Sequence, residues 1–441
     1  MKKQNIKLRL PGSLYERILA DLRRPHAFAY ERVGFAFGSA ITISGTTTLI
    51  TLNKYQPVAD DHYIEDSSVG AKIGSDAIRS AMQHVWDHNC CAFHVHFHNH
   101  RGQPWPSGDD KAGLPPVVSS LANAKPGQPH GILILSKDSF FASVQIAREQ
   151  HLLIPEIISA VKYPMVIQFP EAKKPVNAIL QRQSFLGERS TAIFAHLRVA
   201  LVGLGGGGSH IVQQLAHLGV KHFTLFDFDQ IEDSNLNRLI GGRFADLKGK
   251  LSKTEIAKRL ILGINPKADI TIVNSRWQEA PEQLQICDVA FGGVDTYNDR
   301  SQLEAECRRY LIPLIDIGMD VHQTKEGYHI SGQVILSTPT QACMRCMGFI
   351  NEDKLAKEAA KYGNVGGRPQ VVWPNGLLAS SAIGVFTDLV TGWTCQQDRL
   401  VYLAYDGNTG QVKDHIRLQY LEKECTHYSL EQVGAPKFNK L

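Results

Sequence analysis

Two groups of residues in this 441-residue chain have types and spacings that could do chemistry. In the first, His94, His96, His98 and His100 alternate with Phe93, Val95, Phe97 and Asn99, and a loop then carries Ser107-Gly-Asp-Asp110. Alternation is the period of a strand, so all four imidazoles are expected on one side of it. A hydrolytic metal centre takes two or three nitrogen or oxygen ligands and leaves one position for a water that it acidifies. His98, His100 and Asp110 can supply the ligands, and Ser107 can donate to the oxyanion that forms. Glu31, beside an earlier apolar run, can serve as general base. His94 and His96 read as ordinary, partly buried histidines.

The second group starts at Gly203-Leu-Gly205-Gly-Gly-Gly208, between a predicted strand over 199–202 and a predicted helix over 209–218. Such closely spaced glycines let backbone amides and a helix N-terminus approach phosphates. Asp227 ends the next predicted strand, 19 residues after Gly208, where an acidic side chain can bind a ribose. That much suits a nicotinamide dinucleotide equally well. Ser234-Asn-Leu-Asn-Arg238 and Gly292-Gly-Val-Asp295 then add an amide, a guanidinium and a carboxylate, none of which a dehydrogenase needs.

The elements that must hold these residues follow from periodicity. Before residue 155 the chain opens with residues 6–10, and the pattern then gives helices at 13–22, 75–88 and 109–121, and strands at 33–38, 92–100, 131–135 and 139–146, an α+β domain. Residues 156–190, broken by Pro164, Pro170 and Pro175, read as a connector and entry helix. From 191 to 441 strands and helices alternate, with strands at 199–202, 223–227, 288–292 and 313–317, as in a mostly parallel α/β sheet. Apolar residues at 43% and charged residues at 20% are ordinary globular usage, and a net charge of +4 is too weak to indicate nucleic acid. Polar residues interrupt any apolar segment after Met1-Lys-Lys, and no run approaches the roughly 18 apolar residues of a membrane span. Eight cysteines are few for a disulfide framework, and Cys343-Met-Arg-Cys346 looks like a metal clamp in a reducing compartment. A cytoplasmic protein is expected.

Residues 1–155, with Glu31-Arg-Val-Gly-Phe-Ala-Phe-Gly38, the histidine pair and Ser107 to Asp110, resemble the JAMM, or JAB/MPN-type, metalloisopeptidases. The resemblance implies that Glu31 is the base, that His98, His100 and Asp110 hold zinc, and that Ser107 supports the oxyanion. Six residues separate His100 from Ser107, one fewer than that family usually has, which leaves Asp109 as a rival to Asp110. From about Gln181 to Tyr428 the chain resembles the ThiF/MoeB/HesA adenylating enzymes, relatives of the ubiquitin-activating enzymes. This second resemblance implies a Rossmann-like domain that uses ATP and Mg²⁺. Gly203, Gly205 and Gly208 would then form the phosphate turn, Asp227 would hold the ribose, and Asn235 and Arg238 would contact the triphosphate. Lys253 would neutralise phosphate charge, with Lys250 the lesser candidate, and Asp295 would bind magnesium. Arg182 matches an arginine that reaches into a partner subunit, which implies a homodimer.

In that family Cys343 and Cys346 pair with a second Cys-x-x-Cys, which here reads Cys425-Thr-His427, so a Cys₃His structural zinc is implied. Members that form a thioester often carry a nucleophilic cysteine after the first pair, but residues 347–394 contain none. Cys287, Cys307 and Cys395 are expected as buried core residues. Together the two resemblances imply a bifunctional enzyme of a prokaryotic ubiquitin-like or sulfur-carrier pathway. One half would adenylate the C-terminal glycine of a β-grasp protein, whose acceptor thiol a downstream protein could supply. The other would trim that protein's precursor or release it from conjugates. The alternatives are a peptide or metabolite carboxylate as substrate, and a metal-free first domain that only docks the partner.

Overall fold

A computed structural model describes residues 5–43, 45–146, 151–170, 178–360, 369–421, 425–429 and 432–435. The chain forms two compact units. One comprises residues 1–162, 166–172 and 431–441, and the other residues 163–165 and 173–430.

The first unit contains β1 (Asn5–Pro11), α1 (Gly12–Leu22), β2 (Val33–Ile43), β3 (Thr47–Pro57), α2 (Ser75–His88), β4 (Cys91–Phe97), α3 (Gly108–Ala124), β5 (His130–Leu135), β6 (Phe140–Gln145), β7 (Ile157–Val161) and β8 (Val166–Gln168). They build one mixed sheet in the order β6-β5-β4-β2-β3-β1-β7-β8. Both faces are covered, which is why its strands read as long apolar runs. Cys91, Phe93, Val95 and Phe97 of β4 join Leu14, Ile18 and Leu22 of α1 in one core. Ala92 faces the other way, into a second core with Ala77, Ala81 and Val85 of α2 and Leu121 of α3. The expected strand over 92–100 stops at Phe97. His98 still donates its amide to Leu135 O at 2.9 Å, but the amide of His100 turns back to His98 O at 2.8 Å, and the alternation ends there.

The second unit contains α4 (Ser190–His196), β9 (Arg198–Val202), α5 (Gly206–Leu218), β10 (His222–Phe226), α6 (Phe244–Lys248), α7 (Lys253–Ile264), β11 (Asp269–Val273), α8 (Pro281–Gln285), β12 (Val289–Gly292), α9 (Tyr297–Arg309), β13 (Leu314–Thr324), β14 (Gly327–Ser337), α10 (Glu352–Ala360), α11 (Val372–Thr391), β15 (Val401–Asp406) and β16 (Gln411–Asp414). The sheet order is β11-β10-β9-β12-β13-β14-β15-β16. Its first five strands are parallel and its last three antiparallel. The order reverses beside β9, with β10 on one side and β12 on the other, so a crevice opens at the carboxyl ends of β9 and β12. Helix α5 starts at Gly206, three residues before the expected helix. Strand β13 continues to Thr324 because it pairs with β14 in a long hairpin. Among the described residues no helix is long and apolar enough to cross a membrane.

Candidate functional site

The crevice of the second unit holds a cavity of about 390 Å³ lined by Gly203, Gly205, Gly208, Asp227, Asn235, Arg238, Lys253 and Asp295, among others. Gly203 turns the chain out of β9 at φ +94°, and a Cβ there would lie 2.5 Å from Gly293 O. A Cβ on Gly208 would lie 2.1 Å from Gly203 O, so the turn and α5 pack closer than any side chain allows. Asp227 leaves the end of β10 and clasps this turn. Its carboxylate accepts the amide of Leu204 at 2.7 Å and that of Asp229 at 2.9 Å. Burial pushes the Asp227 carboxyl up, while the nearby Lys253 charge and those two amides pull it down.

Asn235 is buried and accepts the Glu232 amide at 3.1 Å. Arg238 donates to Ser234 O and, at 3.1 Å, to Asn237 Oδ1. Lys253 opens α7, and its Nζ meets Asp229 Oδ2 at 2.5 Å. Lys250 takes a left-handed φ of +45° and is not among the lining residues, so Lys253 is the lysine that faces the cavity. Arg182 is exposed on the 3₁₀ stretch Ala178–Leu186 and does not line its own chain's cavity. Sequence reasoning missed Arg300 and Asn375, which also line it. Arg300 stands five residues after Asp295, in the first turn of α9, and that spacing was the available signal.

The model of the ThiF family matches residues 179–427. The chain belongs to the ThiF family. The matched stretch contains every cavity-lining residue named above. Among similar proteins, tRNA threonylcarbamoyladenosine dehydratase of Escherichia coli K12 is 32% identical over 30% of this chain and 50% of its own length. Molybdopterin-synthase adenylyltransferase of Haemophilus influenzae is 34% identical over 27% of this chain and 49% of its own length. SAMP-activating enzyme E1 of Haloferax volcanii is 30% identical over 34% of this chain and 53% of its own length. The ThiF-family chain thus spans about half the length of each of these relatives.

Within the ThiF-family stretch, Cys343, Cys346, Cys425 and His427 bring one ligand atom each within 4.8 Å of one another. Cys346 Sγ lies 3.6 Å from Cys425 Sγ and 3.3 Å from His427 Nδ1, and Cys343 Sγ lies 3.6 Å from Cys346 Sγ. A tetrahedral zinc with these ligands has edges of about 3.5–3.8 Å, so the donor set and its dimensions suit that ion. Cys287 and Cys307 are buried, but Cys395 is exposed. Helix α11 ends on Gly392 in the left-handed conformation, which throws Cys395 into the following turn rather than into the core.

Residues 1–178 lie outside the family match. There the structure corrects the expected ligand set. Glu31, His96 and His98 bring their ligand atoms within 4.8 Å of one another. Asp110 joins them, 3.2 Å from His96 Nε2 and 3.5 Å from His98 Nε2. His100 is exposed past the strand end, its Nδ1 2.8 Å from Arg101 O, so His96 and not His100 pairs with His98. Asp109 is exposed, and Asp110 is the carboxylate that points inward. Ser107 caps α3: its Oγ accepts the Asp110 amide at 3.0 Å and donates to Asp110 Oδ2 at 2.8 Å. Glu31 is fixed through its backbone, since Gly70 O accepts the amides of Tyr30 and Glu31 at 2.9 and 3.0 Å. Burial raises the Glu31 carboxyl above its ordinary range, with His96 and His98 pulling it back. The bond to Asp110 raises the His98 imidazole. His96 Nε2 and His98 Nε2 face each other at 3.2 Å, a spacing that calls for a proton or a cation between them.

Proposed function

We propose that this ThiF-family chain activates a carboxylate by adenylation. The observation that carries the reading is the convergence of Asp227, Asn235, Arg238, Lys253 and Asp295 on one cavity around the glycine turn. The glycine amides and the α5 N-terminus would cradle the phosphates, and Asp227 would accept from the ribose. One oxygen of the substrate carboxylate attacks the α-phosphorus of ATP. The bond from that phosphorus to the bridging oxygen breaks, pyrophosphate leaves with the electron pair, and an acyl-adenylate forms. Arg238 and Lys253 supply positive charge where the phosphates gain negative charge, and Lys253 would exchange Asp229 for phosphate. Asp295 offers the hard oxygen donor that Mg²⁺ takes beside phosphates, and bound Mg²⁺ would neutralise part of their charge.

The proposed substrate is the C-terminal glycine of a ubiquitin-like or sulfur-carrier β-grasp protein. The names of the H. influenzae adenylyltransferase and the Haloferax activating enzyme support it. A peptide or metabolite carboxylate fits the same chemistry. With no cysteine between 347 and 394, the acceptor thiol would come from a downstream protein. Arg182 would serve the pocket of a second copy in a homodimer. The four Cys and His ligands would hold a structural zinc, and thiols without disulfides suit the cytoplasm.

A second reading concerns the first unit and rests on the Glu31, His96, His98 and Asp110 cluster. His96, His98 and Asp110 would hold zinc in a JAMM-type site for precursor trimming or deconjugation. Zinc there would supply an acidified water, whose proton Glu31 would take at its carboxylate. Ser107 holds Asp110 in place through the capping pair. A metal-free docking module is the alternative. Intact-mass spectrometry of a small β-grasp protein ending in glycine tests both readings. Adenylation predicts an added AMP only with ATP and Mg²⁺, and hydrolysis predicts loss of a C-terminal tail without ATP. No adduct on any such protein or peptide refutes the first reading, and no tail loss by zinc-loaded protein refutes the second.

A further inference from the structure

Helix α9 begins on the wall of the nucleotide cavity. Asp295 and the N-cap Thr296 precede it, and Asp299 and Arg300 of its first turn line the cavity. The first amides of a helix have no partner within the helix. The Thr296 side chain takes the amide of Asp299 at 2.9 Å. Glu358 of α10 takes the two before it, accepting from Tyr297 N on one carboxylate oxygen and from Asn298 N on the other, each at 3.0 Å.

Helix α10 buries none of its residues, so it adds no apolar anchor to the core. Polar contacts hold it. Lys354 Nζ donates to Phe349 O at 2.7 Å and sits 5.0 and 5.3 Å from the ring centroids of Tyr297 and Phe349. Glu352 pairs with Arg345. The Phe349 ring in turn lies 5.6 Å from the guanidinium of Arg300 on the cavity wall. A helix with this little burial is not needed to build the sheet, yet its one glutamate near the C-terminal end is spent on the amides beside Asp295.

Those amides form the positive end of α9 and attract the nearest carboxylate. Asp295, two residues ahead of Tyr297, is one such carboxylate. We propose that Glu358 is a positioning residue for the nucleotide site: by occupying the first amides of α9 it keeps Asp295 free to face the magnesium of bound MgATP. The inference rests on the nucleotide reading above. It adds a residue outside the cavity and a route by which α10 governs metal-dependent binding.

Calorimetric titration of the full-length chain with ATP, once with Mg²⁺ and once with EDTA, tests it in wild type, Glu358→Ala and Glu358→Gln. Glu358→Ala loses both bonds to the α9 amides and, with Asp295 drawn to them instead, is expected to bind MgATP about tenfold more weakly and metal-free ATP within about twofold of wild type. Glu358→Gln, whose single carboxamide oxygen can accept, is expected to fall between. Because α10 buries nothing, Glu358→Ala should melt within about 2 °C of wild type. Equal weakening with and without Mg²⁺, or wild-type affinity for MgATP in Glu358→Ala, overturns the inference while leaving the nucleotide reading intact. No binding of MgATP by the wild-type chain overturns the nucleotide reading and the inference with it.

Discussion

Replacing Gly203 with alanine strains the glycine turn twice, through its left-handed backbone and through a clash with the facing backbone. Gly203 has φ +94°, and the added Cβ would sit 2.5 Å from Gly293 O and 2.9 Å from Gly293 C. The left-handed conformation costs a non-glycine residue about 1–2 kcal/mol. The clash is with backbone, which cannot rotate away, and overpacking of that kind costs about 1–3 kcal/mol more. The total, roughly 2–5 kcal/mol, corresponds to a fall of about 5–15 °C in the melting transition of the second unit. Gly205→Ala is the control. Its φ is −67° and a Cβ there meets nothing within 4 Å, so its methyl group would point into open cavity. It should melt within about 4 °C of wild type, allowing for alanine as a poor N-cap, yet bind MgATP more weakly. Differential scanning calorimetry with nucleotide titration reads both effects. Similar melting of the two variants, or Gly203→Ala within 2 °C of wild type, would refute the argument that the turn is closed by backbone contact.

Other outcomes follow from the same geometry. His96→Ala should lose the zinc proposed for the first unit, as measured by elemental analysis of zinc-loaded protein, whereas His100→Ala should keep it; the reverse pattern would restore the ligand set expected from the strand alternation. Cys346→Ala should lose one zinc per chain and lower the melting transition of the second unit, because metal binding and folding are linked. His130 is fully buried between the Ala92 amide, at 3.2 Å, and Lys125 O, and burial lowers its imidazole to about 4. An imidazole depressed in the fold contributes stability that is complete above the unfolded value near 6.5 and is lost as pH falls from there through about 4. That part of the unfolding free energy, about 3 kcal/mol at most, should vanish from the pH profile of His130→Gln, as read by urea titration between pH 4 and 7.

The parallel core of the second unit was legible because each signal had one physical meaning. Val199 to Val202, the glycine run and Asp227 follow each other as strand, turn and strand end, and the sheet order then places Asp295 across the same crevice. Asn375 was not legible, because it reaches the cavity from α11 by packing rather than by local pattern, and Arg300 of α9 was marked only by its spacing from Asp295. In the first unit the histidine alternation was read correctly up to Phe97 and then carried too far. A strand's period says nothing about where the strand ends. Here the turn at His98 to His100 ended it, which moved the pair from His98 and His100 to His96 and His98. Cys395 was misplaced for a similar reason, since the left-handed Gly392 stops α11 three residues before it.

The central claim is that the cavity at the ends of β9 and β12 forms an acyl-adenylate, and exchange of radiolabelled pyrophosphate into ATP tests it most directly. With a small protein ending in glycine, wild-type chain should catalyse exchange that depends on Mg²⁺, while Asp295→Ala and Lys253→Ala should lose most of it with unchanged melting. Exchange that is absent with every carboxylate substrate tried, or that survives both substitutions at the wild-type rate, would contradict the account.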